Sequence, residues 1–167
     1  THAGRDFANG RNAIALLAEI ITDLYSLNGQ REEVTLNPGK IEGGGPVNIV
    51  PDIAVLRFNV RLPKPEDQQW LQGHFDHIVA EYSKRDGFSV GLHGAFTRPP
   101  KVLSEQNHRL LELVRECGQA LGQSIQWKPS GGCCDGNNMA AAGLPNVDSL
   151  GVRGGRIHSD EEFILVE

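Results

Sequence analysis

Residues 53–62 constrain the fold of this chain more than any other stretch. Ala54, Leu56, Phe58, Val60 and Leu62 alternate with Val55, Arg57, Asn59 and Arg61. A period of two puts the first set on one face of a β-strand and both arginines on the other. A sheet with one dry and one wet face is usually antiparallel.

The flanking segments read as helices and further strands. Ile14, Leu17, Ile21 and Leu24 recur at threes and fours and predict an amphipathic helix over residues 11–27, stopped at Asn28-Gly29. A strand is expected near Val34 to Ile41, before the breaker Gly43-Gly44-Gly45-Pro46. Beyond Pro63 and Pro65, Leu71, Phe75, Ile78 and Tyr82 form the stripe of a second helix that closes at Asp86-Gly87. Phe88, Val90 and Leu92 alternate as another strand. This order lacks only a strand before His2 to complete β-α-β-β-α-β, the ferredoxin-like unit. The expectation is that this strand has been cut off, and the missing initiator Met points the same way.

Arg98-Pro99-Pro100 reads as a junction, giving domains at 1–98 and 99–167. The second part predicts a helix from Glu105 to Leu121 with Leu110, Leu111, Val114 and Cys117 inward. A strand at Ser124 to Lys128, a small alanine-rich helix and a strand at Asn146 to Leu150 follow. Strand-helix alternation is α/β in style. Two such strands bury too little to stand alone, so this part is expected to need partners outside the sequence.

Bulk properties narrow the function classes. A formal charge of −5 weighs against a nucleic-acid module, which usually carries a basic face. No apolar run approaches the roughly 18 residues of a membrane span. Three cysteines, two of them adjacent, make neither a disulfide framework nor a zinc ribbon. That cysteine usage favours a reducing compartment, so the expected location is cytoplasmic; no signal peptide is visible at Thr1-His2-Ala3-Gly4, an end from which location is not read.

Several residues are candidates for chemistry. His158 follows a second glycine loop, 151–155, at an expected strand end and is surrounded by carboxylates able to orient a metal-binding imidazole. A surface-loop histidine would give the same sequence. His2 is placed to donate to a developing oxyanion, or is an exposed terminal residue. Ser130-Gly131-Gly132 suits an anion or carboxylate nest but lacks the length and lysine of a phosphate loop. Cys133 and Cys134 raise a thiol nucleophile as an alternative. Arg61 offers a carboxylate fork, as does Arg57, or is a solvated strand arginine. Asn48 reads as a substrate contact or a turn cap. His74 and His77 look like a metal pair at i, i+3, but the apolar stripe leaves His77 on the water side and His74 on its flank.

Five motifs occur in one order: His-Ala-Gly at 2–4, Gly-Gly-Gly-Pro-Val-Asn-Ile-Val-Pro at 43–51, Phe-Asn-Val-Arg at 58–61, Ser-Gly-Gly with Asp135 downstream, and Ile-His-Ser-Asp-Glu-Glu at 157–162. Together they resemble the zinc-dependent aminoacylase/carboxypeptidase family, which includes acetylornithine deacetylase, succinyl-diaminopimelate desuccinylase and glutamate carboxypeptidase. The resemblance implies an α+β chain. A ferredoxin-like lid with an antiparallel sheet makes a homodimer, and an incomplete α/β segment of the catalytic domain follows. It implies that His158 is the last ligand of a two-zinc centre. It also implies that His2 reaches into the partner's active site, that Asn48 and Arg61 contact substrate, and that Gly131 and Gly132 supply backbone contacts. The implied substrate is a small N-acylated amino acid or peptide with a free carboxylate. The family's other zinc ligands, its general-base glutamate and its closing helix are absent from this sequence, so the chain alone is expected to be inactive. A non-catalytic dimerisation or binding module is the alternative.

Overall fold

The computed structural model describes residues 1–166. The chain divides into two compact units, Thr1–Pro100 and the stretch from Lys101 onward.

In the first unit, α1 (Ala13–Tyr25), β1 (Thr35–Gly43), β2 (Ala54–Arg61) and α2 (Pro65–Ser83) follow one another. β1 and β2 are antiparallel, with Leu36 opposite Val60, Pro38 opposite Phe58 and Ile41 opposite Leu56; the register shifts between Pro38 and Lys40. The alternation in β2 is realised: Leu56, Phe58, Val60 and the following Leu62 pack on the core, and Arg57 and Asn59 face water. Both helices cover that dry face. Leu16, Ile20 and Leu24 of α1 meet Leu71, Phe75, Ile78 and Tyr82 of α2, with Leu27 and Leu36. Leu71 is fully buried, and Phe75 meets Phe58 edge-on with ring centroids 5.5 Å apart. Burial of each such side chain is worth about 1.5–3 kcal/mol.

The ends of these elements have local causes. Asn12 caps α1 by accepting the Ala15 N–H at 3.0 Å. Gly29 takes φ +83°, the left-handed stop that Asn28-Gly29 suggested. The Asn28 side chain then stands in for a strand, donating to the Leu36 carbonyl at 2.9 Å and accepting its N–H at 2.8 Å. Pro65 opens α2, where its missing N–H costs nothing. Across the two helices, the Tyr82 hydroxyl donates to Asp23 at 2.7 Å, and Arg85 grips Glu19 bidentately at 2.7 and 3.0 Å.

Two expectations are corrected here. The dry stripe of α1 is Leu16, Ile20 and Leu24; Leu17 and Ile21 are half-buried and Ile14 is 40% exposed. The paired apolar residues 16–17 and 20–21 offer two overlapping stripes, and packing against α2 selects the row spaced by four. Phe88 and Val90 do pack on the core, but residues 88–92 form no ladder, and the sheet has two strands among the described residues. Gly91 and Gly94, the latter at φ +127°, weaken that segment as a strand.

The second unit holds α3 (Glu105–Ala120), α4 (Asp135–Ala141) and two-residue strands β3 (Gly154–Gly155) and β4 (Phe163–Ile164). The expected strands at 124–128 and 146–150 lack a ladder. Cys117, read as inward, is exposed. The buried position is Gly118, where a Cβ would lie 2.6 Å from Ile125 Cδ1. Polar bonds connect the pieces. Asn107, 3% exposed, closes a capping box with Ser104 and donates to the Asn146 carbonyl at 3.0 Å. Lys101 Nζ donates to Asn146 Oδ1 and Asp148 Oδ2, each at 2.7 Å, and Asn146 Nδ2 donates to the Gly136 carbonyl at 3.1 Å. Among the described residues no helix is long and apolar enough to cross a membrane.

Two measurements test these contacts. Burial first, and the Asp23 hydrogen bond second, push the Tyr82 phenol up to about 12. The folded value lies above the unfolded one, so this contribution is complete below about pH 10 and is lost as pH rises toward 12. Tyr82→Phe should cost about 1 kcal/mol near neutral pH and flatten the alkaline loss of stability, as read by urea melts from pH 7 upward. The Lys101 hydrogen bond holds the Asp148 carboxyl below the usual carboxylate range, against partial burial. That stability is present above about pH 4 and is lost as pH falls through the lowered folded value. Lys101→Met should raise the Asp148 midpoint in a carboxyl-carbon NMR titration; an unmoved midpoint would refute the clamp.

Candidate functional site

His2 and Asn48 are brought together by backbone pairing. Thr1–Ala3 runs antiparallel to Asn48–Val50, with His2 opposite Ile49. The Ala3 N–H donates to the Asn48 carbonyl at 2.8 Å and the Val50 N–H to the Thr1 carbonyl at 2.9 Å. Gly10 seals the far side: a Cβ there would fall 2.5 Å from Thr1 Oγ1 and 2.9 Å from Val50 Cγ2. The peptide N–H groups of Arg5 and Asp6 both donate to the His2 carbonyl, at 3.2 and 2.9 Å. The chain therefore turns sharply away after His2.

The imidazole itself is exposed, and its Nδ1 accepts the Gly4 N–H at 3.0 Å. A ring that accepts at Nδ1 carries its neutral-form proton on Nε2. The bond thus fixes the tautomer and leaves Nε2–H as a donor. Asn48 is the third residue of a turn closed by the Ile49 N–H on the Pro46 carbonyl at 2.9 Å, and it is exposed. The turn-forming role and the presentation of its side chain to solvent coexist.

Arg57 Nε donates to Glu42 at 3.0 Å, and Lys40 Nζ binds the other oxygen of the same carboxylate at 2.9 Å. These bonds, that of Lys40 first, hold the Glu42 carboxyl below its ordinary range. Arg57 is thereby committed within the sheet surface. Arg61 ends β2 opposite Thr35 and is half-buried.

In the second unit, Gly131 and Gly132 are exposed. A Cβ at Gly131 would meet nothing within 4 Å, so this backbone is open to approach from outside. The Gly132 N–H donates to Ser130 Oγ at 3.1 Å. Cys134 caps α4, its sulfur accepting the Gly136 N–H at 3.3 Å, while Cys133 is exposed.

His158 sits at the tip of a small hairpin. Gly154 pairs with Ile164 and Gly155 with Phe163, and a Cβ on Gly154 would lie 2.2 Å from the Phe163 carbonyl oxygen. The Arg156 carbonyl accepts both the N–H and the hydroxyl of Ser159, at 3.2 and 2.7 Å, and Arg156 is paired with Glu161. These bonds hold Arg156 and His158 at φ +57° and +67°, a left-handed conformation uncommon for such residues. The His158 side chain is exposed. Among the described residues no group of three or more His, Cys, Asp or Glu is placed to hold a metal ion. Zinc wants about four donors, so the residues present do not fit a zinc pair. His74 is stacked edge-on against Trp70 at 4.7 Å and His77 is exposed, as their places on α2 suggested.

Sequence reasoning missed Lys101, Asn146 and Asp148. The signal was the polar pair 146 and 148 alternating with Val147 in a segment read only as a strand.

Residues 1–87 match the family model of the M20 peptidase dimerisation domain. The chain is 26% identical over 170 residues to the Bacillus subtilis protein YqjE, covering 99% of this chain and 44% of that one. It is 28% identical over 138 residues to a succinyl-diaminopimelate desuccinylase of Psychrobacter arcticus, covering 80% of this chain and 32% of that enzyme. The crystal structure of aminopeptidase PepT from Bacillus cereus matches with a TM-score of 0.80 at 26% identity, over 98% of this chain and 43% of that one. The chain thus spans less than half the length of these relatives. With a match that begins at the His2 segment and runs through both strands and both helices of the first unit, the chain belongs to the M20 peptidase family and carries its dimerisation domain.

Proposed function

We propose that this chain is part of a metal-dependent hydrolase that cleaves the amide bond of a small peptide or N-acyl-amino acid bearing a free carboxylate. In this reading the first unit is the lid and makes the homodimer, and the second belongs to the catalytic domain. The observation that carries it is the tautomer lock on His2. An Nε2–H donor whose ring is fixed by the Gly4 N–H is preorganised for a carbonyl oxygen that gains negative charge. Asn48, on the paired segment, supplies an amide to the same region, and Arg61 supplies a fork for the substrate carboxylate. Gly131, with open backbone, and Gly132, whose N–H is held by Ser130, are the substrate contacts that the resemblance implies for the second unit.

A metal, when bound, would polarise the scissile carbonyl and supply the hydrolytic water. The resemblance implies two zincs with His158 as one ligand. In this reading their remaining donors come from other parts of the complete protein, and the roles assigned to this chain are binding, orientation and charge stabilisation. A thiol route through Cys134 has less support, because that sulfur serves as the cap of α4.

Three measurements test the proposal. Light scattering should give the chain a mass near twice its 18.2 kDa. Equilibrium dialysis with zinc should show no pair of tightly held ions on the isolated chain, and N-acyl-amino acids should not be turned over by it; two tight zincs or clear turnover would refute the assignment of the other ligands elsewhere. In the complete reading frame, His2→Ala should lower kcat by about 10²–10³-fold with a smaller effect on KM. Activity unchanged by that substitution would overturn the role given to His2, and a complete protein without hydrolytic activity would favour a non-catalytic module.

A further inference from the structure

Lys101 opens the second unit, and its ammonium is committed twice. Nζ donates to Asn146 Oδ1 and Asp148 Oδ2, each at 2.7 Å, from a side chain only 15% exposed. A cation so far out of water is costly to leave unpaired, so both acceptors are held firmly. They converge on one place. A Cβ on Gly136 would lie 2.6 Å from Asn146 Oδ1, 2.9 Å from Asp148 Oδ2 and 3.1 Å from Cys134 Sγ. Three polar side chains thus meet the first turn of α4 at a residue that has room for nothing but hydrogen. The contacts run on from there. Asn146 Nδ2 donates to the Gly136 carbonyl at 3.1 Å, and the Cys134 thiol donates to the Asp148 carboxylate. The Cys134 N–H donates to Asn137 Oδ1 at 3.0 Å. From Cys134 the chain runs back through Cys133 into the turn at 130–132. Ser130, Gly131 and Gly132 are exposed, and the Gly132 N–H bonds to Ser130 Oγ within the turn itself. Such a turn keeps its own shape, but its place is set where it joins Cys134. The main chain of Asn146 is held separately, by Asn107 at 3.0 Å. Loss of the ammonium would therefore release the side chains that grip Cys134 and Gly136 and leave α3 in place.

We propose that Lys101 is a positioning residue for the turn at 130–132, acting through Asn146, Asp148 and Cys134. The inference rests on the reading of Gly131 and Gly132 as substrate contacts given above, and it adds what holds them. Lys101 touches no substrate in this account. It fixes the end of the turn from which the two glycine peptides are presented.

The test uses the complete enzyme and begins without substrate. Lys101→Met should speed amide hydrogen exchange over residues 130–137 by about tenfold or more, the scale of a lost charged hydrogen bond, and leave α3 unchanged. Exchange unmoved at 130–137 overturns the proposal. An increase shared equally by α3 assigns Lys101 to overall stability and also overturns it. With acetyl-alanine or alanyl-alanine as substrate, Lys101→Met should raise KM about tenfold and change kcat less than threefold, the signature of lost binding rather than lost chemistry. Lys101→Arg, which keeps a cation with two donors, should recover most of KM. Gly131→Val tests the underlying reading, because its side chain enters open space and blocks approach without disturbing the fold. If Gly131→Val leaves KM unchanged, the reading of the turn fails and the proposal with it. If Gly131→Val raises KM but Lys101→Met does not, the role of Lys101 is overturned while that of the turn stands. Should Lys101→Met fail to fold, exchange is read from Asp148→Asn, which keeps the shape and weakens the grip of the ammonium. A speed-up of about threefold confined to 130–137 supports the proposal there, and none overturns it.

Discussion

Burial of one face of the β1–β2 hairpin organises the first unit. Two strands alone are marginal in water, because their dry side has nothing to pack on. Here α1 and α2 supply that surface, with Phe88, Val90 and Phe96 packed against the same core. Leu71 and Phe75 bring α2 down onto Phe58, while Leu16, Ile20 and Leu24 close the other half. The polar clamps across the helix pair, Tyr82 on Asp23 and Arg85 on Glu19, lie at its margin and set alignment more than net stability. The wet face of the same hairpin is left for charged chemistry, and Arg57, Glu42 and Lys40 occupy it.

The second unit is organised differently. Its most buried side chains are amides, Asn107 and Asn137, and its connections run through Lys101, Asn146 and Asp148. Leu150, Val152, Ile157, Phe163 and Ile164 stay exposed. A hydrogen-bond network of this kind gives definite geometry but little driving force, since each bond replaces one made to water. In this unit precise loops are thus joined to uncovered apolar side chains.

The legible parts of the sequence were those governed by a short period. The alternation of β2 and the stripe of α2 were read residue for residue, because each has one apolar face and no competing one. The stripe of α1 was misplaced because residues 16–17 and 20–21 are apolar doublets, and periodicity alone cannot rank two adjacent rows. The strand at 88–92 had the right alternation and does pack inward, yet strand pairing depends on a neighbour that alternation does not name. Cys117 was read as inward although the helix packs closest at Gly118, a residue with no side chain to register in a hydrophobic pattern. The candidate residues His2, Asn48, Arg61, Gly131, Gly132 and His158 came from motif order. Their local surroundings could not be read that way, because backbone bonds between distant segments decide them.

That dependence on backbone bonds gives loops outside helices and long strands a definite local geometry. Neither His2 nor His158 stands on a helix or a long strand. The His2 segment is held by two backbone hydrogen bonds to residues 48–50, two more onto the His2 carbonyl, and one onto its ring. His158 is held by a strained turn that Ser159 and the Arg156–Glu161 pair stabilise. A side chain positioned by its own main chain needs no rigid scaffold beneath it, only a loop whose peptide groups are all committed. Function placed this way tolerates drift in the surrounding side chains, provided the close-packed glycines at 10 and 154 remain.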